Sequence, residues 1–137
     1  IMYLAKLNEK DKKTFLSIAH IVAKSNGVYE ESEKKVLKQF ENEMGVDFDV
    51  DEIVKEGDAH SIETLVPSLS DIESKRIVFM ESLILAYAND DFDDVQQGII
   101  KKMQQHCRID SRLYTLMSEW AKNVLSLNAQ GNALLDI

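Results

Sequence analysis

Apolar residues recur every three or four positions along most of this chain, which is the spacing of one face of an α-helix. The strict alternation of apolar and polar residues that marks a half-buried strand is not convincing anywhere in the sequence. The pattern therefore predicts an all-α fold, a bundle of amphipathic helices that bury their apolar faces against one another.

Turn and capping residues divide this pattern into helices. Asn8 can cap the first helix, and Asn26-Gly27 ends it because both residues tolerate a positive φ angle. Gly45 ends the second helix, and Ser70 opens a third through a capping-box pattern with Glu73. Two further helices follow. The predicted core residues are Phe15, Ile18, Ala19, Val22, Val36, Leu37, Phe40, Met44, Ile77, Met80, Leu83, Ile84, Tyr87, Ile99, Ile100, Met103, Cys107, Leu113, Leu116, Met117, Trp120, Val124 and Leu127.

The stretch that joins the second and third helices carries weaker signals. A short helix from Val50 to Glu56 is expected to end at Gly57. Another, from Ile62 to Val66, is expected to be interrupted by Pro67.

An internal repeat relates the two halves of the chain. Residues 15–47 align with residues 78–110 without a gap. The repeat predicts two pseudo-repeated hairpins, each a helix, an acidic loop and a helix, with short helices between them. The pairs that match are Ile21/Ile84, Ala23/Ala86, Asn26/Asn89, Tyr29/Phe92, Glu30/Asp93, Glu31/Asp94, Lys38/Lys101, Phe40/Met103 and Asp47/Asp110.

The chain is expected to form a single domain over residues 1–137, since 137 residues with 45% apolar side chains can bury one core. Its last nine residues, Ala129 to Ile137, are expected to follow a helix end as a tail that either docks or frays. The predicted parts are a first repeat over about 9–47, a connecting segment over about 48–70, a second repeat over about 71–110, a C-terminal helix over about 111–128 and the tail over 129–137.

Composition and charge exclude several classes of function. The 16 basic and 24 acidic residues give a net charge of −8, which repels phosphate backbones, so no nucleic-acid partner is expected. No apolar stretch approaches the roughly 20 residues of a membrane helix, and the opening segment is too short for a signal peptide. A cytoplasmic protein without membrane insertion is therefore expected. Cys107 is the single cysteine, so neither an internal disulfide nor a cysteine zinc site can form.

The two predicted inter-helix loops are acidic. A calcium-binding EF-hand is the first hypothesis for a helix, an acidic loop and a helix, but the second loop does not fit it. Counted from Asn89, the sixth residue is Asp94 instead of glycine, and the twelfth is Ile100 instead of glutamate. The calcium geometry of an EF-hand is therefore excluded.

The loops resemble those of the TerB-like family, which is named for a tellurite-resistance protein and related to a region of membrane-anchored DnaJ-like co-chaperones. Family loops read Asp-Gly, an apolar residue and then acids, ending in a glutamate. Here the first loop matches as Asn26-Gly27 with Glu33, and the second as Asn89-Asp90 with Gln96. The resemblance covers about residues 8–127, and it implies two helical hairpins whose acids bind a divalent cation.

Two interpretations of the loop acids remain open. The resemblance implies a weakly bound divalent cation as the candidate cofactor, with the oxygen ligands Asp90, Asp91, Asp93, Asp94, Glu30 and Glu33. Alternatively, Glu30 and Asp93 cap helices, and Glu33 and Gln96 complete capping boxes with them. The second loop has more aspartates than capping needs, so the cation is a stronger alternative to capping there than in the first loop.

No catalytic site is predicted. The sequence has no glycine-rich phosphate loop, no Gly-x-Ser-x-Gly elbow and no His-Glu-x-x-His helix. His20 is expected to be a hydrogen-bonded structural residue near the core. The expected function is a non-enzymatic, TerB-like interaction or sensing module with a protein partner, in a stress response as the resemblance implies. The alternative is a divalent-cation (calcium-like) binding domain that uses the acidic loops.

Overall fold

The computed structural model describes residues 3–25, 30–88 and 94–137, with only the backbone of residues 30–33. Every regular element in these ranges is helical, and none is a strand, which confirms the all-α prediction. Short 3₁₀ turns occur at Leu4–Lys6 and Val66–Ser68. The α-helices are α1 (Glu9–Ser25), α2 (Glu30–Met44), α3 (Val50–Ala59), α4 (Ile62–Leu65), α5 (Ile72–Tyr87), α6 (Asp94–His106) and α7 (Ser111–Leu135).

The helix α5 contacts α1, α6 and α7. From Ile77 onward its buried residues point in nearly every direction around the helix, whereas Ile72, Glu73 and Arg76 near its start are exposed. Val78 and Phe79 are therefore buried in addition to the single predicted stripe, and Phe79 is among the largest fully enclosed side chains.

The start of α5 differs from the predicted capping box. Asp71 caps the helix, because its Oδ1 accepts a 2.7 Å hydrogen bond from the Ser74 N–H. Ser70 instead joins α5 to the beginning of α1: its N–H donates to the buried carboxylate of Asp11 at 3.2 Å, and its Oγ accepts from Asn8 Nδ2 at 2.9 Å. The buried Asp11 needs that donor, which explains the one-residue shift of the cap.

The predicted cap of α1 is confirmed, since Asn8 Oδ1 accepts a 2.8 Å hydrogen bond from the Asp11 N–H. The end of α2 also follows the prediction. Gly45 has a φ of 70°, and the Val46 N–H reaches back to the Glu41 carbonyl at 3.0 Å. This pattern is a Schellman motif, which satisfies carbonyls at the end of a helix.

The helix α6 ends with the same hydrogen-bond pattern but without a glycine. Arg108 occupies the left-handed position with a φ of 54°. The Ile109 N–H bonds to the Gln104 carbonyl at 3.2 Å, and the Arg108 N–H bonds to the Gln105 carbonyl at 3.4 Å. A non-glycine residue in this conformation is strained by its Cβ, so the motif persists at an energetic cost.

The connecting segment is helical as predicted, with one different boundary. The helix α3 continues through Gly57 to Ala59 instead of ending at Gly57. The helix α4 ends at Leu65, and Pro67 lies within the 3₁₀ turn that follows, so the predicted interruption is confirmed.

The last helix is longer than predicted. It runs to Leu135, so the predicted tail over residues 129–137 is wrong for all but its last two residues. Gly131 does not stop the helix, because one glycine costs only about 1 kcal/mol relative to alanine and no proline follows it.

The buried face of α7 also differs from the prediction. Met117, Ser118 and Ala121 are buried, whereas Leu116 is 61% exposed and Leu127 is 65% exposed. The small side chains of Ser118 and Ala121 allow α7 to approach α5 closely. Leu116 and Leu127 consequently lie beside the contact between α7 and α5 instead of within it.

Successive residues along α5 contact successive residues of the segment that runs from Cys107 into α7. Near the start of α5, the Lys75 carbonyl meets Cys107, just before α7. Phe79 then packs on Tyr114, and Tyr87, at the end of α5, hydrogen-bonds Ser118 at 3.0 Å. The helices α5 and α7 therefore run in the same direction.

Candidate functional site

The predicted cation ligands are only partly visible in the structure. Asp90, Asp91 and Asp93 lie outside the described residues. Asp94 is the exposed first residue of α6, and Glu30 and Glu33 belong to the first turn of α2, where side chains are not described. Among the side chains that are described, no group of three or more His, Cys, Asp or Glu residues could hold a metal ion.

His20 is buried and hydrogen-bonded, as predicted for it. Its Nε2 lies 2.8 Å from Asp58 Oδ1, and the Lys24 ammonium donates to the same oxygen at 3.0 Å. Gly57 lies directly against the imidazole, and a Cβ built on it would come within 2.5 Å of His20 Cδ2. The absent side chain of Gly57 is what lets α3 approach α1 at this point.

A cleft of about 400 Å³ opens beside this contact, between α1, the link from α3 to α4, and α6. Its apolar walls include Ile21, Ile62 and Ile99. Its charged groups are already paired across the cleft or along its edge, so it offers no unsatisfied charge to a ligand. The pairs are Lys24 with Asp58 and Lys102 with Glu63, each at 3.0 Å.

Both carboxylates at this cleft are stabilised in the charged form. The hydrogen bond to His20, followed by that to Lys24, lowers the pKa of Asp58. A backbone hydrogen bond within Glu63 itself, followed by the bond from Lys102, lowers the pKa of Glu63 to about 2. These groups hold helices together and are not poised to exchange protons near neutral pH.

The single thiol is also unsuited to chemistry. Cys107 is buried, and this burial raises the pKa of its thiol to about 12. Its Sγ lies 3.5 Å from the Lys75 carbonyl. Because the thiolate is the nucleophilic form, Cys107 is inert in the folded protein.

The most unusual surface lies along α7. Apolar residues follow one side of this helix next to its buried face, and most of them are open to solvent. Leu134 is 70% exposed, and Trp120 and Val124 are half-buried. We call this surface the α7 stripe; it comprises Leu116, Trp120, Val124, Leu127, Gly131 and Leu134.

A groove of about 440 Å³ adjoins the stripe where α7 passes the start of α5. Its apolar floor includes Tyr3, Ile72, Met80 and Met117. The Tyr3 ring packs on Trp120 with the ring centroids 6.0 Å apart, so the groove and the stripe are continuous. Lys6, Glu73 and Arg76 form the charged rim of this feature, which we call the α5 groove.

Every residue from 126 to 137, which covers the distal part of α7 and the two residues after it, is exposed. It is almost free of charge, since Asp136 is the one ionisable side chain after Lys122. Exposed helices of soluble proteins normally carry charged residues on the side that faces water. A helical segment with exposed leucines and almost no charged side chains is therefore the strongest candidate for a partner-binding surface among the described residues.

The sequence contains a pattern that indicates this surface, but helical spacing alone does not distinguish it from a face buried within the domain. The apolar positions of α7 continue past residue 128 with intervals of three and four, while the charged positions stop. That combination is typical of a helix that pairs with another helix. Burial against the domain and burial against a partner give the same spacing, so the two could not be separated without the structure.

Comparison with known proteins gives no relative to guide the assignment. Within the described residues, no helix is both long enough and apolar enough to cross a membrane. No protein-family model matches the chain, and no curated protein or solved structure matches it significantly.

Proposed function

We propose that this chain is a non-enzymatic protein-interaction module that docks a helical partner along the α7 stripe and into the α5 groove. The observation that carries the proposal is the exposure of Leu116, Leu127 and Leu134 on one side of α7, beside a groove floored by further apolar side chains.

The physical argument rests on hydration. Each exposed leucine leaves about 1.5–3 kcal/mol of burial unrealised, and contiguous apolar surface of this kind marks interaction sites on soluble domains. A helix laid in an apolar groove, with anchors at intervals of three and four residues, is a recurrent mode of protein recognition. The geometry of stripe and groove suits that mode.

Capture from an extract of the source cell tests this function. The bait is the whole chain, and the stripe variant is Leu127→Lys with Leu134→Lys. The matched control is Ser126→Lys with Ala133→Lys, which adds the same charge to exposed positions on the opposite side of the same helix. A partner lost by the stripe variant and kept by the control supports the proposal; equal capture by all three baits contradicts it.

The TerB-like assignment and a cytoplasmic role in a stress response belong to the same proposal. Support for the pseudo-repeat comes from the ends of α2 and α6, where Gly45 and Arg108 occupy matching repeat positions and both take the left-handed conformation. The hydrogen bonds around them are also equivalent. Two hairpins that end alike fit a duplicated helix pair.

A divalent-cation sensor is the second candidate function. It is favoured by the four aspartates among residues 90–94, of which Asp94 is exposed to solvent at the start of α6. Capping of α6 needs one or two acids, so the remaining charge is available to a cation. A calcium titration, described in the Discussion, tests this candidate independently of the α7 stripe.

A further inference from the structure

We propose that the helical partner of the α7 stripe is a second copy of this chain, with the two α7 helices packed antiparallel. This inference rests on the proposed function and names the partner for it. In this arrangement the distal part of each α7 lies along the stripe and in the α5 groove of the other copy, so one symmetric contact covers both exposed apolar surfaces.

The positions of the apolar residues define the register. Antiparallel helices with intervals of three and four pair a residue near one end with a residue near the other. Placing Val124 of one copy against Leu127 of the second brings Leu116 to within one residue of the level of Leu134 at each end of the contact. The contact then spans the 19 residues from Leu116 to Leu134, about 27 Å of helix.

The same register places the largest side chain of the stripe opposite the smallest. Trp120 of one copy faces Gly131 of the second, and the reverse holds by symmetry. A Cβ built on Gly131 has nothing within 4 Å, so the notch at this glycine is open. A half-buried indole that projects from one helix can fill that notch. A glycine that otherwise weakens an exposed helix thereby acquires a packing role.

The pairing also explains how a body of net charge −8 can associate with itself. Between Lys122 and Asp136, α7 has no charged residue, so two stripes meet without like charges between them. Lys122 lies on the opposite side of the helix, Glu119 borders the stripe beside Leu116, and both side chains are exposed.

Helix stability supplies an independent argument for an occupant. Residues 126–135 include a serine, two asparagines and a glycine, which are poor helix formers, and every residue of this stretch is exposed. Helices of this length are marginal in water without tertiary support. Packing against a second copy provides that support.

Sedimentation equilibrium of the purified chain across a concentration series tests the pairing. We expect the mass to rise from 15.6 kDa towards twice that value with increasing concentration. Leu127→Lys with Leu134→Lys should weaken association more than about a hundredfold, because two charges would enter an apolar contact. Ser126→Lys with Ala133→Lys should leave association nearly unchanged, and circular dichroism melts should show that both variants stay folded.

Orientation is tested by disulfide formation under mild oxidation. A chain carrying both Leu116→Cys and Leu134→Cys should form covalent dimers, because only the antiparallel register brings these positions within one residue of each other across the contact. The single variant Leu134→Cys should not. An intramolecular bridge is excluded, since about 27 Å separates the two positions along one helix.

The second-copy proposal is overturned by a constant mass of 15.6 kDa at every concentration or by covalent dimers of Leu134→Cys alone. If a protein from a cell extract still binds in a way that depends on the α7 stripe, the chain is an interaction module with a different partner. Failure of the second-copy proposal can therefore be distinguished from failure of the proposed function.

Discussion

At the scale of single residues, the structure depends on a few positions where backbone conformation or space decides which side chain fits. Arg108 and Gly45 take the same left-handed conformation at two helix ends, but only Gly45 is suited to it. Gly57 has ordinary helical geometry and is required for a different reason, since it lies against His20. Each case leads to a measurable consequence.

Replacing Arg108 with glycine should stabilise the protein by up to about 1 kcal/mol, because the left-handed conformation costs a non-glycine residue roughly 1–2 kcal/mol and glycine loses part of that gain to chain entropy. Urea denaturation of Arg108→Gly measures the change. Gly45→Arg at the corresponding position should destabilise by about 1 kcal/mol. The two variants should change the free energy of unfolding in opposite directions. A loss of stability in both variants would contradict the strain assigned to Arg108.

Replacing Gly57 with alanine should destabilise the protein despite the better helix propensity of alanine. Propensity contributes about 1 kcal/mol in favour, whereas forcing a methyl group against the buried His20 ring and the Ser17 carbonyl costs about 1–3 kcal/mol. Gly98 in α6 is the control, because a Cβ there has nothing within 4 Å. Thermal melts should show a loss for Gly57→Ala and a gain of up to about 1 kcal/mol for Gly98→Ala.

At the scale of elements, helix existence followed from the apolar spacing, and most errors concern boundaries and faces. The spacing identified the existence of α1, α2, α5, α6 and α7 because each has apolar residues at helical intervals. The α5 cap shifted to Asp71, since Ser70 serves the buried Asp11, and such a long-range bond leaves no mark in the local sequence. The predicted cation ligands at 90, 91 and 93 remain a prediction.

The ion pair between α4 and α6 gives an element-scale prediction with a defined pH range. The pKa of Glu63 falls from 4.5 unfolded to about 2 folded, so its contribution to stability is present above about pH 4.5 and is lost as pH falls through about 2. The difference in melting temperature between the wild type and Glu63→Gln should therefore shrink from pH 5 to pH 2. The melting-temperature difference between the wild type and Lys102→Gln should change less with pH, because this variant keeps the backbone hydrogen bond of Glu63. If the difference between the wild type and Glu63→Gln did not depend on pH, the lowered pKa of Glu63 would be contradicted.

At the scale of the whole molecule, the chain combines a closed bundle with an uncovered extension. The core extends from the first 3₁₀ turn to Leu125 in α7, whereas residues 126–135 continue the helix beyond it and are all exposed. Composition predicted an acidic domain with a core, but it could not reveal that the charged residues of α7 stop at Lys122, before the part of the helix that leaves the bundle.

The acidic loop provides a whole-molecule test of the second candidate function. A loop without a bidentate glutamate should bind calcium weakly, with a dissociation constant on the order of 10⁻⁴–10⁻³ M, in preference to magnesium. Calcium at 100 times that constant should raise the free energy of unfolding by about 2.7 kcal/mol. Thermal melts with and without millimolar calcium should show the shift in the wild type and lose it in Asp91→Asn with Asp93→Asn. If neither protein responds, the loop acids act as helix caps; an equal response places the site elsewhere.

Because Cys107 is buried, its chemical labelling can be used to measure how often the bundle opens around it. A thiol that is fully enclosed between α5 and the end of α6 can react with an alkylating reagent only when those elements separate. Because it is the single cysteine, the labelling rate measures one opening equilibrium without any introduced probe. Comparing that rate in dilute and concentrated solution would reveal whether stabilising the distal part of α7 also protects the centre of the bundle.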